Sequence, residues 1–189
     1  MTTDPHPWAA NLAELHDQAW LRLVRGVADR RAPARHPTLA TVSPHGWPES
    51  RTVVLRAADP AAGVVEVHTD ALSDKMAGLD MVPRAALHVW DASAHLQIRL
   101  QVQVAILTGA EAEATWNALP QQTRHSYGTR PAPGQPIPEA LAYAKPADPS
   151  RFAILRCEVQ RMDLLHLGPD HRRARFDRED GWAGCWLAP

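Results

Sequence analysis

The sequence predicts a mainly β (α+β) chain, a single antiparallel barrel carrying flanking helices. Three observations predict it. Leu96 to Leu107 alternates throughout, with Leu96, Ile98, Leu100, Val102, Val104 and Ile106 on one face and Gln97, Arg99, Gln101 and Gln103 on the other. A strand of that length with one dry and one wet face belongs to a curved antiparallel sheet or barrel. The apolar period changes from 3.6 to 2 at His36, so a helix gives way to strands there. Short alternating segments then recur to the C-terminus, separated by Gly and Pro turns.

In order, residues 8 to 31 read as a helix, because Trp8, Leu12, Leu15, Ala19, Leu23 and Val27 fall at helical spacing. Asp4-Pro5 is a start signal and Pro33 lies beyond the end. Thr38 to Ser43 and Ser50 to Ala57 form a hairpin around Pro44-His45-Gly46-Trp47-Pro48. Val64 to Thr69 is a third strand. Ser73 to Met81 is a short helix capped by the Ser73 hydroxyl, and Ala85 to Trp90 is a fourth strand. Residues 110 to 126 are helical. Arg130 to Pro149, with six prolines and a glycine, is a loop with room for one helical turn at Glu139 to Ala144. Strands over Arg151 to Leu167, Arg172 to Asp177 and Trp182 to Leu187 close the barrel. The whole is one domain, residues 1–189, with its N-terminal helix at 8–31 and its barrel at 37–189.

The 20 Lys+Arg against 21 Asp+Glu leave no overall pull toward nucleic acid or an anionic membrane. No apolar run approaches the ~20 residues of a membrane helix. Cys157 and Cys185 have no CxxC spacing, and no basic leader precedes an apolar run, so a reduced, cytoplasmic chain is expected. The ten histidines lack metal-ligand spacing, and His125 beside Ser126 is a poor nucleophile-base pair, since adjacent residues rarely face each other.

What remains are cationic and hydroxyl groups at strand ends, in Ser50-Arg51-Thr52-Val53-Val54-Leu55-Arg56 and in Val67-His68-Thr69-Asp70-Ala71-Leu72-Ser73-Asp74-Lys75. Strict alternation puts Arg51, Val53 and Leu55 on one face and Thr52, Val54 and Arg56 on the other. A strand-end arginine alone is usually a solvated edge residue. Ser73 and Lys75, though, stand in a helix's first turn, where an anion is favoured and a cation is not. A bound phosphate removes that conflict through charge-assisted bonds. The pattern suits a small phosphorylated cofactor.

The order Arg51-x-Val53-x-Leu55-Arg56, then His68-Thr69-Asp70-x-x-Ser73-x-Lys75, then Gln97 on a long strand, then Trp186-Leu187-Ala188-Pro189, resembles the pyridoxamine 5′-phosphate oxidase superfamily of FMN-binding split β-barrels. It is closer to the oxidase-related branch than to the true B6 enzyme, and covers about residues 37 to 107 and 151 to 189. The resemblance implies FMN, with Arg51 and Lys75 on its phosphate and Ser73 and Thr69 as hydroxyl partners. Thr52 joins the cofactor set, Val53 and Val54 offer backbone groups to the isoalloxazine edge, and His68 lies beside the phosphate-ribityl arm. Gln97 bonds the ring, Arg56 faces cofactor and substrate phosphate, and Arg175 lies near flavin N1/O2. Arg130, His171 and Arg173 are the corresponding substrate residues.

This chain departs from the family at Leu72 and Asp74, often basic there, at Leu165 in place of an aromatic, and at Gly134 in place of a hydroxyl. The implied activity is two-electron transfer through flavin N5 with a small organic substrate or reduced nicotinamide. The alternatives are a true pyridoxamine/pyridoxine 5′-phosphate oxidase and a non-catalytic flavin-binding protein. The implied assembly is a homodimer with flavin at its interface. Most of the seven tryptophans read as core or interface anchors, Trp182 and Trp186 also as covers for the flavin.

Overall fold

The computed structural model describes residues 5–189. The long N-terminal helix is α1, Leu12–Ala28, preceded by a 3-10 turn at Pro7–Ala10. It is shorter than the predicted 8 to 31 because Asn11 stops the 3-10 turn and caps α1, its side chain accepting the Glu14 N–H at 3.1 Å. The Asp4 start signal lies outside the described residues. Leu15, Ala19, Trp20, Leu23 and Gly26 bury one face of α1. Gly26 crosses the Pro33–Arg35 turn so closely that a Cβ would stand 2.6 Å from the Ala34 backbone.

Strands β1 (Thr38–Val42) and β2 (Pro48–Thr52) form the predicted hairpin, with Gly46 at φ 84° in its turn. The predicted strand 50 to 57 is two strands. It breaks at Val53-Val54, where the Val53 N–H donates to Pro37 O at 3.0 Å, and resumes as β3, Leu55–Asp59. β3 pairs with β4 (Val64–Asp70), on the far side of the sheet from β2. Helix α2 is Lys75–Met81, two residues shorter than predicted; Asp74 precedes it without a side-chain cap, the Ser73 hydroxyl being engaged elsewhere.

Then come β5 (Arg84–Asp91), β6 (Leu96–Leu107), α3 (Ala110–Ala118), α4 (Gln121–Arg124), β7 (Phe152–His166), β8 (Arg172–Asp177) and β9 (Cys185–Leu187). Leu119-Pro120 splits the predicted helix 110 to 126, since Pro120 has no N–H to continue it. In the Pro-rich loop, Arg130 and Ala144 exchange both backbone bonds, and residues 139 to 142 make a turn without a helix.

The strand order is β2-β1-β5-β6-β7-β4-β3, with β8 and β9 continuing from β7. Its first and last strands are joined by two residues of chain, so the barrel is closed covalently at Val53-Val54 and open in hydrogen bonds there. The inner residues of β6, Leu96 to Val104, are buried and meet the alternate residues of β7 in one core. Each fully buried Leu or Ile contributes about 1.5–3 kcal/mol. The register lines up Trp90, Gln97, Leu165 and Arg173 in one outward row, and His88, Arg99, Asp163 and Arg175 in the next.

Candidate anion and flavin site

The break after β2 and the turn after β4 bring the two basic motifs to one cleft of about 440 Å³, lined by Glu49, Ser50, Arg51, Ser73, Asp74, Lys75 and Pro133. Lys75 Nζ donates to Thr69 Oγ1 and to Ser73 Oγ, both at 2.8 Å, and the two hydroxyls are 3.1 Å apart. Arg51 donates from Nη1 to Thr41 Oγ1 at 2.6 Å and from Nη2 to Glu49 Oε2 at 2.8 Å. Burial lowers the Lys75 pKa and the Arg51 guanidinium lowers it further, while Asp74 and Asp70 act in the opposite sense. Lys75 in contact with two hydroxyls, and Arg51 lining the same cleft, form a donor set suited to a dianion. Since α2 has only seven residues, the side chains carry the attraction.

Arg56 is displaced from the predicted alternation. It is the extra residue of a bulge between Leu55 and Ala57, so strict alternation from Thr52 does not carry through to it. It stands within hydrogen-bonding reach of the Tyr127 hydroxyl and beside His68. Among the described residues no carboxylate pairs with it, and its Nε and the His68 Nδ1 are buried without partners. Burial, then the Arg56 charge, holds His68 down to about 4, so the imidazole is neutral. Phe152 packs edge-on to both His68 (5.0 Å between centroids) and Tyr127 (4.9 Å), with Trp116 behind at 5.5 Å. Burial raises the Tyr127 pKa.

Gln97, Arg173 and Arg175 lie on the outer face of the sheet, apart from the cleft within one chain. Gln97 is half-buried between Trp90 and Leu165. Arg173 pairs with Asp163 at 2.9 Å, as Arg99 does at 2.6 Å; Arg175 pairs with Asp177 at 2.9 Å. Burial alone would raise the Asp163 pKa, but the two arginines hold it below the usual carboxylate range. Arg130 is exposed and reaches Asp148 at 3.5 Å; His171 is exposed in the β7–β8 turn. Trp182 packs on the core beside His16, Trp90 is exposed on an outer row, and Trp186 is exposed on β9 opposite the buried Ala174.

Asp70 is what the motif reading passed over. It was legible as the acidic end of His68-Thr69-Asp70, but its partners Arg151 and Gly128 are distant in sequence.

Solved structures place the fold in a known class. A pyridoxamine 5′-phosphate oxidase-related, FMN-binding protein from Nostoc punctiforme superposes with TM-score 0.70 at 24% identity, covering 100% of both chains. PhzG from Burkholderia lata, solved with tetrahydrophenazine-1-carboxylic acid, gives 0.69 at 21%, covering 99% of this chain and 95% of that one. These likenesses define a split β-barrel. In sequence, pyridoxine/pyridoxamine 5′-phosphate oxidase 2 of Arabidopsis thaliana is 24% identical over 92% of this chain and 96% of its own. The Microcystis aeruginosa pyridoxine/pyridoxamine 5′-phosphate oxidase is 33% identical, over 56% of this chain and 47% of that protein. The family model for the FMN-binding domain of pyridoxamine 5′-phosphate oxidase matches residues 6–108, more than half of the chain. The chain belongs to that family, and its cofactor is FMN.

Proposed function

We propose that the protein is an FMN-dependent oxidoreductase acting on a small organic substrate or reduced nicotinamide other than pyridoxamine phosphate. The observation that carries this reading is the convergence of Arg51, Ser73 and Lys75, with Thr69, on one cleft. When bound there, FMN supplies two-electron chemistry at N5. Arg51 and Lys75 hold its phosphate, relieving their mutual repulsion, and Ser73 and Thr69 orient the lysine. Thr52, Val53 and Val54 follow Arg51 along the break and border the ring edge. Arg56, with no carboxylate partner among the described residues, supplies the charge for an anionic substrate group, and neutral His68 and Tyr127 shape its surroundings.

The pyridoxamine phosphate alternative is weakened by Arg130, turned to Asp148 in solvent, by Gly134 against the Asp74 carboxylate, and by Leu165 between Gln97 and Arg173. A homodimer completes the site. Gln97, Arg173 and Arg175 face outward on the sheet whose strands β1, β5 and β6 also line a depression of about 540 Å³ that includes Ala40 and Ala86, and a second copy seated on this face would bring its cleft to these residues.

Protein reconstituted with FMN tests the reading. The wild type turns yellow, and the double variant Arg51→Ala, Lys75→Ala loses flavin at least tenfold; a fully yellow double variant refutes the phosphate assignment. Bleaching by NAD(P)H without bleaching by pyridoxamine phosphate separates the enzyme readings, and bleaching by neither favours a non-catalytic binder.

A further inference from the structure

Asp70 ends β4 and is 6% exposed, and both of its oxygens accept hydrogen bonds. Oδ1 accepts from Arg151 Nε at 2.9 Å, from Arg151 Nη2 at 2.7 Å and from the Leu72 N–H at 2.9 Å. Oδ2 accepts from the Gly128 N–H at 2.9 Å. Leu72 opens the turn that carries Ser73 and Lys75. Gly128 follows Tyr127, whose hydroxyl reaches Arg56.

One carboxylate therefore bonds to both halves of the site. A second tie lies further along the same segment: Gly134 rests on Asp74, where a Cβ would stand 2.5 Å from Oδ1, and Pro133 lines the cleft. Gly128 itself has φ 117° and no room for a Cβ, which would stand 2.4 Å from Pro146 O, so the segment is confined on its other side as well.

We propose that Asp70 is a positioning residue that locks the segment from Tyr127 to Gly134 onto the turn carrying Ser73 and Lys75, so that the anion cleft and the Arg56–Tyr127 pair form as one unit. The consequence for cofactor affinity rests on the FMN reading above; the geometric claim does not. Four N–H donors meet the ionised carboxylate, three on Oδ1 and one on Oδ2, and an amide that keeps its oxygen toward Arg151 sets its NH2 against the Gly128 N–H, donor against donor.

Asp70→Asn tests this with Asp91→Asn as control, because Asp91 is equally buried and ties Arg22 and Ser93 away from the cleft. Two quantities are read: FMN affinity from flavin fluorescence, and Tyr127 ionisation in FMN-free protein, assigned against Tyr143 with Tyr127→Phe. Asp70→Asn is expected to weaken FMN about tenfold and to let Tyr127 titrate at lower pH as its burial is lost. Asp91→Asn is expected to lower the melting temperature similarly and to leave both readouts unchanged. Unchanged Tyr127 ionisation in Asp70→Asn, unchanged FMN affinity, or equal shifts in both variants overturns the proposal. If the wild type binds no FMN, the cofactor reading fails and the Tyr127 titration alone decides for Asp70. Should Asp70→Asn not fold, hydrogen exchange on the wild type decides, since the Leu72 and Gly128 amides must then open together; independent exchange overturns the lock.

Discussion

Lys75 is half-buried against two hydroxyls and near a second cation, an arrangement that costs stability until an anion arrives. His68 carries a related tension, a neutral ring held next to Arg56. Its sign is definite. The unfolded chain binds this proton near pH 6.5 and the folded chain only near 4, so the contribution is full above 6.5 and is lost as pH falls toward 4. Its size is about 2 kcal/mol after allowing for partial solvent exposure. FMN-free His68→Gln is therefore expected to show a shallower fall in unfolding free energy across that window, measured with urea. Superimposable pH profiles for the two proteins would remove His68 as the source.

At the scale of elements, the site depends on a strand that stops and a helix that approaches closely. Ending β2 at Thr52 lets the chain leave one edge of the sheet and join β4 at the other edge, which carries Arg51 and Arg56 to different neighbours. Helix α2 packs on β1 through Gly78, where a Cβ would stand 2.3 Å from Val42 O, a backbone atom with little freedom to move. Gly78→Ala is expected to destabilise the protein by about 1–3 kcal/mol in denaturant titrations. It should also weaken FMN binding, because the shifted helix carries Lys75. Native stability with native FMN affinity would show that α2 can slide without consequence.

For the whole molecule, the outer face presents ion-paired arginines, Gln97, exposed Trp90 and a depression of small residues. Such a mixture of aromatics, arginines and a flat apolar floor suits a partner surface. The wild type is expected to be a dimer by light scattering at micromolar concentration. Ala86→Arg, placed in the depression, should yield monomers that hold FMN about tenfold less tightly. A wild type that stays monomeric while fully yellow would show that one chain suffices.

Periodicity determined the barrel, the extent of β6 to the residue, the β1–β2 hairpin and the grouping of Arg51, Ser73 and Lys75, because these are set by alternation and by motifs close in sequence. Only the tertiary structure decided that residues 50 to 57 split, that Arg56 sits on a bulge beside Tyr127, that Asp70 joins Arg151 and Gly128, and that Gln97 and Arg175 turn away from the cleft. Local spacing specifies which way a side chain points along one strand. Which strands become neighbours, and where one must break or bulge to close the barrel, depends on packing between segments far apart in sequence, as Asp70 and Arg151 are at 81 residues.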